Sequence, residues 1–154
     1  MKKILVLVFF VVSLFGFDND FLSPDEAFKV SIDKKESGLK INVELPKSIY
    51  LYDEFLKVVL LPQNIDITKE LKLPNPETYD GFIVHFNGLN IDVPYALIKE
   101  KIGDESYELQ FNYQGCSKAG LCYSPMSQSI KMDGIDSSSI KATTEIVEKI
   151  TTDK

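Results

Sequence analysis

Alternation of apolar and polar side chains runs through the middle of this chain, and it leaves few folds open. In "GLKINVELP" the apolar Leu39, Ile41, Val43 and Leu45 alternate with Lys40, Asn42 and Glu44. In "SYELQFNYQ" the apolar Tyr107, Leu109, Phe111 and Tyr113 alternate with Glu108, Gln110 and Asn112. A period of two puts one set on a buried face and the other in water, as in a half-buried strand. Shorter runs of the same kind occur at "AFKVSI", "KVVLL", "GFIVHF" and "LNIDVP". They are separated by turn material such as "LPKS", "LPQN", "PNPETYDG", "FNG" and "KIGDES". About seven short strands with no long amphipathic helix between them predict an all-β, antiparallel β-sandwich.

The ends read differently. "MKKILVLVFFVVSLFG" has a basic start, an apolar run and then small or polar residues, the order of a secretory signal peptide over residues 1–16. Its apolar run is shorter than the roughly 20 residues of a membrane span, although an uncleaved anchor is the alternative. The expected soluble domain covers residues 17–132, and the thinly patterned residues 133–154 form a C-terminal tail. The chain has 17 basic residues, all lysine, against 23 acidic ones, for a net charge of −6. Loss of Lys2 and Lys3 with the leader makes it about −8. A net acidic domain lacks the basic face that supplies most nucleic-acid affinity, so nucleic acid is excluded as a partner. Export also allows a disulfide to persist.

Both cysteines lie in "YQGCSKAGLCYSP", Tyr113 to Pro125. The strand ending at Tyr113 runs through Gln114 and Gly115 into Cys116, Gly120 permits a tight turn, and an extended pattern resumes after Cys122. The expected shape is a hairpin with one cysteine on each arm, a spacing that suits a disulfide. Two readings of that bridge stand side by side. A structural staple is the plain one, but closing a seven-residue loop stabilises by only roughly 2.4 kcal/mol, and a domain of this size buries a core without it. A redox-active pair is the other, cycling by thiolate attack and mixed-disulfide exchange. Tyr113, Tyr123 and Pro125 are expected to put rings around the sulfurs. No metal is expected, since one histidine and two adjacent cysteines leave a structural site short of a ligand. His85, the only histidine, is expected to point outward from "FIVHF". A Cys–His dyad is disfavoured because its thiol would have to stay reduced in an oxidising space.

"YQGCSKAGLCYSP" resembles the active-site hairpin of the N-terminal periplasmic domain of the thiol:disulfide interchange protein DsbD, with its Y-Q-G-C, short polar turn and G-[FL]-C-Y-x-P. "SPDEAF" (Ser23–Phe28) is similar to the family's leading segment, and "YLY" (Tyr50–Tyr52) to an aromatic pair beside the cysteines. "PETYDG" (Pro76–Gly81) falls where the family carries a cap loop. The resemblance covers residues 22 to about 132. It implies an immunoglobulin-like β-sandwich whose Cys116–Cys122 pair passes electrons across the periplasm without a cofactor. It implies that Cys122 forms mixed disulfides and Cys116 resolves them. Tyr50 and Tyr52 would line the site, though on alternation alone they read as core. Glu77 would assist proton transfer, though a loop acid is ordinarily just solvated. The family's shielding phenylalanine is absent, and Tyr79 is the aromatic residue available in its place. The implied partners are thioredoxin-fold proteins, namely disulfide isomerases and cytochrome c maturation proteins downstream. Upstream is a membrane electron-transfer module acting through a thioredoxin-like domain. Family members continue into those modules, so a chain ending at Lys154 is expected to work as a monomer in trans or as a soluble relay. The non-redox alternative is an immunoglobulin-like binding or structural module with an inert bridge.

Overall fold

A computed structural model describes residues 22–134. The expected leader, and the tail beyond residue 134, lie outside the described residues. Eleven strands occur among them: β1 (Lys29–Lys35), β2 (Gly38–Glu44), β3 (Ile49–Tyr52), β4 (Lys57–Leu61), β5 (Ile65–Asp66), β6 (Glu77–Tyr79), β7 (Phe82–His85), β8 (Leu89–Pro94), β9 (Tyr107–Tyr113), β10 (Gly115–Ser117) and β11 (Met126–Met132). Two helices, α1 (Pro24–Ala27) and α2 (Tyr95–Ile102), accompany them. The strands make three antiparallel sheets, ordered β1-β2-β8, β11-β9-β4-β5 and β10-β3-β7-β6. The all-β antiparallel sandwich expected from the alternation is what forms.

The two long alternating runs account for the core. On β2 the buried Leu39, Ile41 and Val43 lie in register opposite Val93, Ile91 and Leu89 of β8. On β9 the buried Leu109 and Phe111 lie opposite Leu60 and Val58 of β4. Directly opposed side chains on one face of an antiparallel pair are the unit of sheet stability. All of these belong to one hydrophobic cluster with Ile49 and Leu51 of β3. Fully burying a side chain such as Phe111, at 0% exposure, stabilises by roughly 3 kcal/mol. A dozen of that kind outweigh the short disulfide loop severalfold.

Two elements differ from the sequence reading. A two-turn helix, α2, follows β8 directly; Tyr95 and Ile98 face the core, and Gly103 at φ 71° ends it with its N–H on the Lys99 carbonyl at 2.8 Å. "PNPETYDG" is not all loop, because Glu77–Tyr79 pairs with Phe82–His85. Asp80 and Gly81, at φ 50° and 82°, supply the two left-handed residues that a tight hairpin turn requires.

Candidate functional site

The cysteine loop is built where the chain changes sheets. β9 pairs with β4 and β11, but β10 pairs with β3, and Gln114 is the residue between them. Gln114 fixes the crossing from both ends. Its carbonyl accepts from the Tyr52 N–H at 3.0 Å, and its side-chain amide donates to the Tyr123 carbonyl at 3.1 Å. The loop closes on itself through Ser117 N–H to the Leu121 carbonyl (2.7 Å) and Tyr123 N–H to the Gly115 carbonyl (3.0 Å). Gly120, at φ 97°, makes the turn. Cys116 and Cys122 face each other across this frame as a disulfide, with Cα atoms 4.0 Å apart. The hairpin expected from the sequence is therefore present, though its first arm belongs to a different sheet from β9.

Register and alternation determine what surrounds the sulfurs. Cys116 lies opposite Tyr50, and Tyr52 opposite Val84. Glu77 also lies opposite Val84, and Tyr79 opposite Phe82. Opposed and alternate residues share a face, so these side chains line one side of the sheet β10-β3-β7-β6. There Tyr50, Val84 and Cys116 form a buried cluster of their own, with Tyr52, Tyr79 and Phe86 packed against it. The rings meet edge-on or tilted: Tyr50 with Tyr52 at 5.5 Å, with Tyr79 at 5.3 Å and with Phe86 at 5.5 Å. Phe55 and Phe82 extend this array from Tyr52, at 5.7 and 5.3 Å.

The two cysteines are unequally placed. Cys116 is 1% exposed, whereas Cys122 is exposed. The Tyr52 hydroxyl donates to Cys116 Sγ at 3.3 Å. Burial, reinforced by a hydrogen bond with Tyr52, pushes the Tyr50 hydroxyl up to about 12. It is therefore a neutral donor at physiological pH. Near the β9–β10 crossing, Phe55, Lys57, Tyr113, Gln114, Pro125 and Met126 line a surface groove of about 380 Å³.

Several sequence expectations need placing or correcting. Tyr50, Tyr52 and Tyr79 are brought together with Cys116. Tyr50 is buried, but in the cysteine cluster and not in the main core. Glu77 is on the same sheet face, on the edge strand, and is exposed. The rings of Tyr113 and Tyr123 do not join the Cys116 cluster. They pack in the main core around Phe28, at 5.8 and 5.0 Å. The reason is that Phe28 lies on the Gly115 side of β10, and neighbouring residues of a strand face opposite ways. Burial raises both hydroxyls above their ordinary range, helped by Asp25 beside Tyr113 and Glu26 beside Tyr123. Tyr123 donates instead to the Leu22 carbonyl at 2.8 Å, tying the leading segment to the cysteine loop. His85 does not point outward. It is 3% exposed, with Nε2 2.8 Å from Asp53 Oδ1, because its strand position opposite Leu51 faces the main core.

Phe86 and Phe82 carry no signal of a site role in the sequence, and Gln114 and Lys118 read there only as part of the run into Cys116 and of a polar turn. Only the tertiary pairing of β3 with β7 and β10 brings Phe86 to the Cys116 cluster and Phe82 onto Tyr52, and no local pattern reveals it. Among the described residues, no group of three or more His, Cys, Asp or Glu is placed to hold a metal ion. Nor is any helix there long and apolar enough to cross a membrane.

Comparison with known proteins starts from this geometry. The thiol:disulfide interchange protein DsbD of Campylobacter jejuni is 33% identical over 106 residues, which is 69% of this chain and 18% of that protein. DsbD of Colwellia psychrerythraea is 28% identical over 120 residues, 78% of this chain and 19% of that one. The chain thus spans about a fifth of the length of these relatives. The crystal structure of the reduced DsbD N-terminal domain of Neisseria meningitidis superposes with a TM-score of 0.58 at 24% identity, over 79% of this chain and 96% of that one. That likeness supports the immunoglobulin-like β-sandwich. A second structure, of the complex between the DsbD and PilB N-terminal domains of the same organism, gives 0.55 at 22% identity, over 76% and 91%. The family model described as thiol:disulfide interchange protein DsbD, N-terminal, matches residues 18–134, a span that includes the sheet crossing, the disulfide loop and the aromatic hairpin, and by that match the chain belongs to the DsbD N-terminal domain family.

Proposed function

We propose that the domain is a periplasmic thiol-disulfide relay, in which Cys122 exchanges with partner proteins and Cys116 resolves the mixed disulfide. One observation carries the reading: a disulfide that joins an exposed residue, Cys122, to a buried one, Cys116, whose sulfur lies under a tyrosine hydroxyl. A staple needs neither the asymmetry nor the donor. A partner's thiolate attacks Cys122, the Cys116–Cys122 bond breaks, and Cys116 leaves as a thiolate. Tyr52 stabilises that charge by hydrogen bonding. The partner's second cysteine then attacks its own sulfur in that mixed disulfide, leaving Cys122 and Cys116 reduced. In the return step the Cys122 thiolate attacks the disulfide of an oxidised partner, and Cys116 attacks Cys122 of the new mixed disulfide, releasing that partner reduced. Glu77, on the open edge of the same face, is the exposed acid available to relay a proton from water to the departing thiolate. Tyr79, through Tyr50 and Phe86, forms the cap that keeps other thiols away.

The family supports thioredoxin-fold partners, and the groove beside Pro125 gives an apolar shoulder for such a partner's active-site loop. In this reading the upstream electrons come through a membrane module, and the downstream substrates are disulfide isomerases and cytochrome c maturation proteins. The reduction potential tests the relay itself. Titration of the pair against glutathione is expected to place it above about −300 mV, within the span of exchange proteins. A value well below that would mean an inert bridge in a binding or structural module. The periplasmic location rests on the leader-like residues 1–16. The intact mass of protein from the periplasmic fraction is expected to lack about the first 16 residues; full-length mass in the membrane pellet would count against export.

A further inference from the structure

Lys118 occupies an unusual place in this loop. Its N–H donates to the Ser48 carbonyl at 2.8 Å, which carries the β10–β3 pairing one residue past Ser117 and fixes its backbone. From there the side chain crosses to Phe86, with Nζ 4.2 Å from the ring centroid. Phe86 in turn packs on Tyr50 and on Tyr79, at 5.5 and 5.2 Å. Tyr50 is the residue opposite Cys116. The ammonium therefore sits on the rim of the cluster that encloses the buried sulfur and bridges the cysteine loop to the aromatic cap. Among the described residues no carboxylate pairs with it, although the chain has 23 acids for 17 lysines. A ring face holds the cation there without neutralising it.

An unneutralised cation so placed acts on the sulfurs when they are charged. Lys118 is two residues from Cys116, so their Cα atoms are at most about 7 Å apart. Cys122 lies 4.0 Å beyond, Cα to Cα. By that measure Cys116 is inside the screening length of about 10 Å at 0.1 M salt, and Cys122 is at about its edge. A nearby cation favours the thiolate over the thiol, while the neutral disulfide gains nothing from it.

We propose that Lys118 is a positioning residue of the redox site: held over Phe86, its ammonium stabilises the thiolate of the reduced pair and so biases the loop toward reduction. This deepens the relay reading and rests on it. In the reaction measured, two glutathione thiols reduce the Cys116–Cys122 disulfide. The intramolecular S–S bond breaks, one glutathione S–S bond forms, and the two glutathione protons pass to the cysteine sulfurs or, for the share that ionises, to water.

Three proteins decide the matter: the full chain, Lys118→Met, which keeps the apolar stem over Phe86, and Lys118→Arg, which keeps the charge. Each is equilibrated with glutathione, and the reduced forms are alkylated with iodoacetamide across a pH series. Lys118→Met is expected to lower the equilibrium constant for reduction about threefold, or about 14 mV for a two-electron couple. Its alkylation midpoint is expected to move to higher pH, and Lys118→Arg to restore both values. Unchanged constants in Lys118→Met would overturn the proposal. So would equal shifts in Lys118→Met and Lys118→Arg, since those report packing and not charge. Failure of the relay reading appears separately, as an unsubstituted potential below about −300 mV, because the Lys118 comparison is read as a difference between variants.

Discussion

Cys116→Ala is expected to accumulate a stable mixed disulfide through Cys122, and Cys122→Ala to accumulate little. Disulfide exchange requires a thiolate to approach along the S–S axis, so access decides which sulfur is used. Cys122 is exposed and follows Leu121, itself 37% exposed at the loop's surface. Cys116 is 1% exposed, pinned on β10 opposite Tyr50 and beneath the Tyr52 hydroxyl. With Cys116 gone, nothing within the domain can displace a partner joined to Cys122. With Cys122 gone, the remaining thiol can be reached only by opening the aromatic cap. The partner is a thioredoxin-fold protein with one active-site cysteine, activated as its mixed disulfide with thionitrobenzoate. Attack by the variant's thiolate forms the protein–protein bond and expels thionitrobenzoate, so atoms and electrons balance and the colour reports the rate. Non-reducing gels should favour Cys116→Ala by roughly tenfold or more, because access to the sulfur is the dominant difference between them. Equal trapping by both variants would remove the assignment of roles, and trapping by neither would return the bridge to a structural part.

Where one strand face meets water and the other the core, the residues themselves announced the fold. β2 and β9 are such strands, and their alternating residues pair as the pattern predicts. β3 was harder to read because Ile49, Tyr50 and Leu51 are buried in succession. Its sheet is covered on both sides, by the main core and by the aromatic cluster, so polarity no longer reports direction. His85 was misjudged for the same reason, since its side of β7 is the core side and its polarity is satisfied by Asp53. Some signals were present but thin. Tyr95, Ile98 and Ile102 have helical spacing before Gly103, and Asp80–Gly81 is a strong hairpin turn.

The disulfide loop was legible because its cysteines are neighbours in sequence. The aromatic cluster around Cys116 was only half legible. Tyr52 is 64 residues from Cys116, and Phe86 reaches the site only through the pairing of β7 with β3. Local sequence cannot encode such contacts; strand register can. The same register removes Tyr113 and Tyr123 from the Cys116 cluster, despite their standing beside the cysteines in sequence.

Gly115→Ala is expected to be strongly destabilising, and it explains the glycine of "YQGC" by a physical route. Gly115 has no need of a left-handed backbone; what it needs is space. A Cβ there would collide with the Tyr50 carbonyl oxygen and come within 2.9 Å of Phe28 Cε1. The first obstacle is backbone, held by the β10–β3 ladder, and cannot swing aside as a side-chain tip can. Relief would require β10 to lift from β3, taking Cys116 out from under Tyr52 and loosening the Tyr123 N–H bond to the Gly115 carbonyl. Overpacking of this kind costs about 3 kcal/mol, which lowers the melting temperature of a domain this size by more than about 10 °C. Gly120→Ala is the matched comparison. At Gly120 an added Cβ meets nothing within 4 Å, and only the positive φ of 97° opposes it, so about 1–2 kcal/mol is expected. Thermal unfolding of the oxidised proteins should rank Gly115→Ala well below Gly120→Ala. Alkylation of the reduced ones should show Cys116 reacting faster in Gly115→Ala than in the unsubstituted domain. If both alanines melt alike and Cys116 stays protected, then the close approach of β10 to β3 is not what seats the buried sulfur.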